Sequence, residues 1–198
     1  MIQRRSKSFS LDRIVKVGIL AGISYLLMFI QLPIPIAPPF MKVDLADVPA
    51  LIGGFAMGPL YGVLIQLIKN VLNLSKTMTG GVGELSNFVV GSTFVLVSSL
   101  IYRDKKTRKN SILALVFGVI AMSAVATLSN AFVVFPIYGK VMNMDLEAFA
   151  GMIPGNSLVN NYITLMIFSV APFNIIKGAI ESIVTQILYK RISPSLKF

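Results

Sequence analysis

The feature with the clearest chemical potential is a lysine within an otherwise apolar stretch near the carboxyl end. The stretch runs from Ala171 to Tyr189 and carries Asn174 and Lys177, three residues apart. At that spacing two side chains share one face of an α-helix. An ionisable group in a membrane-spanning helix costs about 2.5–3.5 kcal/mol, so it usually faces a polar cavity or a partner. We therefore predict that Asn174 and Lys177 line a ligand site.

Glu181 follows Lys177 by four residues and offers a structural alternative. A carboxylate and an ammonium at that spacing can form an ion pair on the helix surface. The charge of Lys177 would then serve the fold rather than a ligand. The sequence leaves both interpretations open.

Two more asparagines, Asn87 and Asn130, lie in apolar segments. A carboxamide presents a donor and an acceptor side by side, which suits an imide or pyrimidine-like edge. Asparagines also join membrane helices, for about 0.6 kcal/mol on average. Packing between helices is therefore the alternative to ligand binding at both positions.

The composition predicts an integral membrane protein. Of 198 residues, 55% are hydrophobic and only 13% are charged. Cysteine and histidine are absent, which excludes thiol chemistry and the most common zinc ligands, and no metal site is expected. No recognisable catalytic motif and no phosphate-binding loop of the Gly-x-x-x-x-Gly-Lys-Ser/Thr type occur, so neither an enzyme nor a self-contained ATPase is predicted.

The basic residues predict the topology. They form three clusters at the edges of apolar segments: Arg4, Arg5, Lys7, Arg13 and Lys16; Arg103, Lys105, Lys106, Arg108 and Lys109; and Lys190, Arg191 and Lys197. Cytoplasmic loops of membrane proteins carry an excess of lysine and arginine. This placement explains the net charge of +10 without nucleic acid, and it predicts cytoplasmic termini and an even number of crossings.

A break at Gly58-Pro59 gives that even number, because proline removes a helix hydrogen bond and disfavours helix in the preceding residue. The expected fold is an all-α integral membrane protein with six transmembrane helices in one domain, residues 1–198. The predicted helices cover residues 14–32, 48–57, 60–74, 85–102, 111–135 and 172–189.

Two loops are expected at the outer face. The loop Pro33 to Asp47 is stiffened by prolines and could close over a ligand at little entropic cost. Asp47 is favoured as the N-cap of the second helix, whereas Asp44 has no such structural role. The glycine-rich loop before Glu84 could bring backbone amides close to a ligand.

The first helix carries Gly18 and Gly22, which form a small-x-x-x-small ridge. Such ridges allow close approach of another helix. The partner could be another protein or a helix of the same bundle, and the spacing alone favours the same bundle.

Several motifs in this order resemble the substrate-binding S components of energy-coupling factor (ECF) vitamin transporters, and most closely the riboflavin-specific type. They are the segment Lys42 to Gly62, Leu67-Ile-Lys-Asn70, Gly80 to Asn87 and Pro172 to Gly178. The resemblance implies a six-helix protein of the plasma membrane that binds its vitamin from outside. It also implies partners: one transmembrane coupling protein and two ATPase subunits.

The same resemblance implies the site residues. The ligand pocket would comprise Met41, Lys42, Val43, Asp44, Leu45, Glu84, Asn87, Asn130, Asn174 and Lys177. Gly18 and Gly22 match the partner-contact positions of helix 1, where the family usually has alanines. Riboflavin would be the transported ligand, with no cofactor. The alternatives are an S component for another vitamin and a secondary carrier that needs no ATPase.

Overall fold

The structure is a computed structural model that describes residues 11–77, 80–153 and 156–196. The basic residues Arg4, Arg5, Lys7 and Lys197, on which part of the predicted topology depends, lie outside these ranges.

The described chain is predominantly helical, and this confirms the predicted all-α class. The helices are α1 (Leu11–Leu27), α2 (Val48–Met57), α3 (Pro59–Asn73), α4 (Val82–Asp104), α5 (Arg108–Ser129), α6 (Phe135–Met142), α7 (Tyr162–Leu165) and α8 (Ala171–Leu196). Short 3₁₀ helices cover Leu74–Lys76 and Leu146–Met152. Two short strands, β1 (Leu32–Pro33) and β2 (Lys42–Val43), pair antiparallel at the base of the first loop. This pairing was not predicted.

Within the described ranges, three helices are long and apolar enough to cross a membrane. They are Val82–Asp104, Arg108–Met142 and Tyr162–Ile192. The second joins α5 to α6 through a π-helical turn, Asn130–Val134, and the third joins α7 to α8 through another, Met166–Val170. α2 is a shorter apolar helix. The chain therefore has the helices of a membrane protein.

Both π turns end two residues before a proline, at Pro136 and at Pro172. Proline lacks the backbone N–H that a helix uses for its internal hydrogen bond. A π turn lets the helix continue past that missing donor. For this reason the last long helix begins at Tyr162, ten residues before the predicted start at Pro172.

The predicted break between the second and third helices is present at Gly58, which has a φ of 115°. α2 and α3 then pack closely side by side. A Cβ atom added to Gly62 would lie 2.8 Å from the carbonyl oxygen of Ala50 and 3.0 Å from the Cα of Gly54. Only glycine permits this approach, so the α2–α3 pair depends on the residue type at 62.

The core has two main parts. One lies among α1 to α5 and includes Leu51, Ile65, Phe94 and Met122. The other packs the 3₁₀ helix Leu146–Met152 against α6 and the start of the last long helix. The segment after α6, whose structure the sequence did not predict, therefore covers one end of the bundle.

Candidate ligand-binding site

A cavity of about 150 Å³ lies among the first loop, α4, the α5–α6 helix and α8. Ligand pockets for small molecules typically have 300–1,000 Å³. Its lining residues are Phe40, Met41, Lys42, Asp47, Gly83, Ser86, Asn87, Val90, Gly91, Met122, Ala126, Asn130, Val134, Tyr138, Phe173, Asn174 and Lys177. The cavity is thus smaller in this structure than a typical small-molecule pocket, so a vitamin-sized ligand requires its lining to move outward.

Six of the ten predicted ligand residues line this cavity. They are Met41, Lys42, Asn87, Asn130, Asn174 and Lys177. They come from the first loop and from three separate helices, so the fold brings together residues that lie between positions 41 and 177 of the sequence. The polar residues predicted within apolar segments meet in one place.

The other four predicted residues lie outside the cavity lining. Val43 is buried against Ala37 and Phe173, and Leu45 packs on the main core. The Glu84 carboxylate accepts hydrogen bonds from Asn73 Nδ2 at 3.1 Å and from Thr77 Oγ1 at 2.9 Å. In this structure Glu84 connects α3, the glycine-rich loop and α4.

Asp44, the fourth, forms an ion pair with Lys177. The Lys177 ammonium is 3.6 Å from Asp44 Oδ1, 3.9 Å from Asp47 Oδ2 and 3.9 Å from Glu181 Oε1. Lys177 itself is only 7% exposed. Lys177 therefore forms the ion pair with Glu181 that the sequence suggested, and it also lines the cavity.

Asp47 has a different role from the predicted one. It occupies the N-cap position of α2, but its side chain makes no capping hydrogen bond. Its Oδ1 instead accepts hydrogen bonds from Gln66 Nε2 at 2.9 Å and from Lys69 Nζ. Lys69 is fully buried, and an unpaired buried ammonium is strongly unfavourable. The carboxylate therefore compensates a charge on α3 rather than the amides of α2.

Asn130 and Asn174 each donate a hydrogen bond to the backbone carbonyl four residues earlier. Asn130 Nδ2 donates to the Ala126 carbonyl at 2.7 Å, and Asn174 Nδ2 donates to the Val170 carbonyl at 2.8 Å. Each bond uses one of two amide hydrogens and fixes the carboxamide orientation. The second hydrogen and the oxygen are then the groups that a ligand in the cavity could use.

Asn87 differs, because its Oδ1 atom is buried and has no hydrogen-bond partner among the residues that the structure describes. A buried acceptor without a partner loses about 1–3 kcal/mol of hydration. A ligand hydroxyl or N–H at this wall of the cavity would satisfy it.

The sequence interpretation missed an apolar stripe along the α5–α6 helix. Met122, Ala126, Asn130, Val134 and Tyr138 recur at every fourth position and all line the cavity. Residues four apart lie on one helix face. Asn130 was predicted, so counting in fours from it would have found the remaining wall.

Phe40 and Phe173 were also missed, although each is adjacent to a predicted residue. Phe40 contacts three rings edge to face, with centroid distances of 5.5 Å to Phe135, 5.3 Å to Tyr138 and 6.2 Å to Phe149. These contacts attach the first loop to the far side of the cavity. The loop therefore has an anchor in the position expected of a lid.

The cavity combines aromatic and aliphatic walls with two ammonium groups, Lys42 and Lys177, with the Asp47 carboxylate and with three carboxamides. Among the residues described, no group of three or more histidine, cysteine, aspartate or glutamate side chains could hold a metal ion. The arrangement suits a flat, largely apolar ligand with one polar edge, bound through hydrogen bonds.

A second predicted surface lies on α1. Gly18 is exposed and Gly22 is half-buried, and a Cβ atom added at either position would meet no atom within 4 Å. The ridge therefore does not pack against the described part of this bundle, which had been the interpretation favoured by spacing. It is open to a helix from another molecule.

Comparison with known proteins identifies the family. The sequence model of the ECF transporter substrate-specific component matches residues 12–189. The chain is 36% identical to the riboflavin transporter RibU of Staphylococcus aureus (strain TCH60), with 93% of this chain and 92% of that protein covered. It is 28% identical to the riboflavin transporter FmnP of Bacillus subtilis (strain 168), with 92% of both chains covered.

A solved structure of the S component of a bacterial ECF transporter has the same fold. The TM-score is 0.75 at 34% sequence identity, with 94% of this chain and 98% of that chain covered. The resemblance inferred from the motifs is thereby confirmed. The chain belongs to the ECF transporter substrate-specific components, the substrate-binding membrane subunits of these transporters.

Proposed function

We propose that this protein captures riboflavin at the outer face of the plasma membrane and delivers it inward as part of an ATP-driven ECF transporter. The observation that carries the proposal is a cavity in which a buried lysine and three asparagines meet aromatic and aliphatic walls. The names of the relatives, riboflavin transporter RibU and FmnP, supply the ligand.

The chemistry of riboflavin fits this lining. The isoalloxazine ring is a broad apolar plane with one polar edge of carbonyl and imide groups. Phe40, Met41 and Phe173 would contact the plane, while Lys177 donates to a ring carbonyl or nitrogen and Asn174 pairs with the imide edge. Asn87, with its unpartnered oxygen, would accept from a ribityl hydroxyl.

Purification from cells tests the ligand. We expect the protein to carry a yellow chromophore with a flavin absorption spectrum, and the apo-protein to quench flavin fluorescence at one ligand per chain. A colourless, folded preparation that does not respond to added riboflavin would assign the cavity to another vitamin.

We further propose a multi-pass topology with six crossings and both termini in the cytoplasm. The support is the position of the basic residues, since Arg103, Lys105 and Arg108 lie at the same end of the α4–α5 pair and Lys190 and Arg191 lie near the end of α8. Cysteines introduced at Lys106 and Lys140 should report opposite sides in an accessibility assay with an impermeant thiol reagent. Labelling of both from the same side would contradict this topology.

We propose that the open ridge at Gly18 and Gly22 docks the transmembrane coupling protein, which in turn contacts two ATPase subunits. Close helix packing across small residues is a common mode of association in membranes. In proteoliposomes, riboflavin uptake should require the complete module and ATP. Uptake by this chain alone would identify a secondary carrier instead.

A further inference from the structure

α5 and α8 run antiparallel and form a long seam. Gln186 Nε2 donates to Ser111 Oγ at 2.8 Å at one end, and Ser123 Oγ donates to the Ala171 carbonyl at 3.1 Å at the other. Between them, a Cβ atom added to Gly178 would lie 2.9 Å from Val119. The two helices are in contact along most of their shared length.

An apolar groove of about 540 Å³ follows this seam on the outer surface of the bundle. Leu115 and Val116 of α5 face Ala179 and Ile183 of α8 across it. Its lining carries no charged residue. In water such a surface would be covered by protein, but in a bilayer it is complementary to a hydrocarbon chain.

At one end the groove opens into a basic cavity of about 820 Å³, and the two share Gln186 and Ile187. Arg108, Lys190 and Arg191 line this cavity, and no carboxylate does. None of the three cations forms an ion pair with the residues that the structure describes. The cavity therefore offers positive charge that an external anion can neutralise.

The amino terminus of α5 adds to the positive charge of the basic cavity. Thr107 caps the helix by accepting a hydrogen bond from the Asn110 amide, and both Thr107 and Arg108 line the basic cavity. The first amides of a 22-residue helix carry a partial positive charge that favours phosphate. Charged side chains and the backbone thus attract the same type of ligand.

We propose that the basic cavity and the apolar groove together form a site for one anionic phospholipid. The phosphate would lie among Arg108, Lys190 and Arg191, and an acyl chain would follow the α5–α8 seam. From Arg108 to Ile120 the helix rises about 18 Å, close to the roughly 15 Å hydrocarbon depth of one leaflet. A free anion would use the cavity but leave the groove empty, so the continuity of the two regions favours a lipid.

Native mass spectrometry of the full chain in detergent tests this site with phosphatidylglycerol and phosphatidylcholine of identical acyl chains. We expect phosphatidylglycerol to bind more tightly to the unmodified protein. The triple variant Arg108→Gln, Lys190→Gln, Arg191→Gln should weaken phosphatidylglycerol binding about tenfold or more, because each cation near the headgroup contributes to the attraction. Ala179→Phe, which fills the groove, should reduce binding of both lipids.

The matched control is Arg103→Gln, Lys105→Gln, Lys106→Gln, which removes the same charge at the same end but outside the groove. It should retain the preference for phosphatidylglycerol. An equal loss in this control, or an unchanged affinity in the first triple variant, would overturn the proposal. Full competition by glycerol phosphate, which has no acyl chain, would also overturn it by revealing a simple anion site. Unchanged thermal unfolding in detergent establishes that each variant is folded.

Discussion

Lys177 is the residue on which the account of the ligand site depends. Its ammonium lies within 4 Å of three carboxylates and also at the cavity wall. The carboxylates of Asp44, Asp47 and Glu181 stabilise the charge in a buried position, and at the cavity wall the same charge would be available to a ligand. A purely structural lysine would not need the second environment.

Asn174→Ala and Lys177→Ala should each weaken riboflavin binding more than tenfold in titration calorimetry. Losing a buried hydrogen bond to a charged or paired group costs about 1.5–3 kcal/mol, and 1.4 kcal/mol corresponds to a factor of ten. Asn160→Ala and Lys140→Ala remove the same groups at exposed positions outside the cavity and should bind normally. Unchanged calorimetry in both site variants would remove these residues from the site.

Asn87→Leu should also weaken binding, because the carboxamide of Asn87 is replaced by a side chain that cannot accept a hydrogen bond. We expect a smaller loss, about fivefold to tenfold, since a neutral bond contributes about 1 kcal/mol. A riboflavin analogue without the ribityl chain should bind both proteins equally. If the analogue distinguishes them as strongly as riboflavin does, Asn87 contacts the ring instead.

Single residues also show what the sequence could and could not reveal. Asn130, Asn174 and Lys177 were recognisable because a polar group is conspicuous in an apolar segment. Phe40, Tyr138 and Phe173 were not, since an aromatic cavity wall has the same composition as a lipid-facing surface. The role of Asp47 was mistaken because its partner Lys69 lies 22 residues away, beyond any local capping pattern.

At the level of elements, the two π turns shape the site. Asn130 begins the first turn, and Val170, which accepts the Asn174 bond, ends the second. Each turn allows a long helix to continue towards a proline while presenting a cavity residue or its anchor. Proline was visible in the sequence, but whether it starts a helix or lies within one depends on tertiary packing.

The first loop acts as an element of its own through Phe40. Phe40→Ala should raise the dissociation rate of riboflavin at least about tenfold, because edge-to-face ring contacts contribute about 0.5–1.5 kcal/mol each and three would be lost. Stopped-flow flavin fluorescence measures the rate. Phe132→Ala, at an exposed aromatic residue outside the cavity, is the control. Equal rates in both variants would show that the loop does not retain the ligand.

A single added methyl group should weaken the packing of α2 against α3. Gly62→Ala places a methyl group against the Ala50 carbonyl and the Gly54 backbone, neither of which can yield as a side chain would. Overpacking of this kind costs about 1–3 kcal/mol. Thermal unfolding in detergent should show a lower midpoint for Gly62→Ala but not for Gly22→Ala, whose new methyl group meets nothing. A shared midpoint would contradict the close packing.

For the whole molecule, binding and transport should be separable. The variant Gly18→Leu, Gly22→Leu alters only the open ridge on α1, so riboflavin titration should be unchanged while ATP-driven uptake with the coupling module is lost. Ala124→Leu enlarges an exposed small residue on α5 and should leave uptake intact. Normal uptake by the α1 variant would place the docking surface elsewhere.

The class and the helical content of the molecule follow from composition, and the membership of its family follows from the order of its motifs. The position of the cavity does not, because it arises where four separate parts of the chain meet. The β1–β2 pairing and the anchoring of the loop are likewise products of long-range packing. Asn87, Asn130, Asn174 and Lys177 were nevertheless marked locally in the sequence, whereas Ser86 and Tyr138 were not.

A crystal structure with riboflavin bound tests the central claim most directly. We expect the isoalloxazine ring in the cavity beneath the first loop, with Lys177 Nζ and the Asn174 carboxamide within hydrogen-bonding distance of its polar edge. A flavin bound elsewhere, or one in this cavity with Lys177 turned away towards its carboxylates alone, would contradict the account.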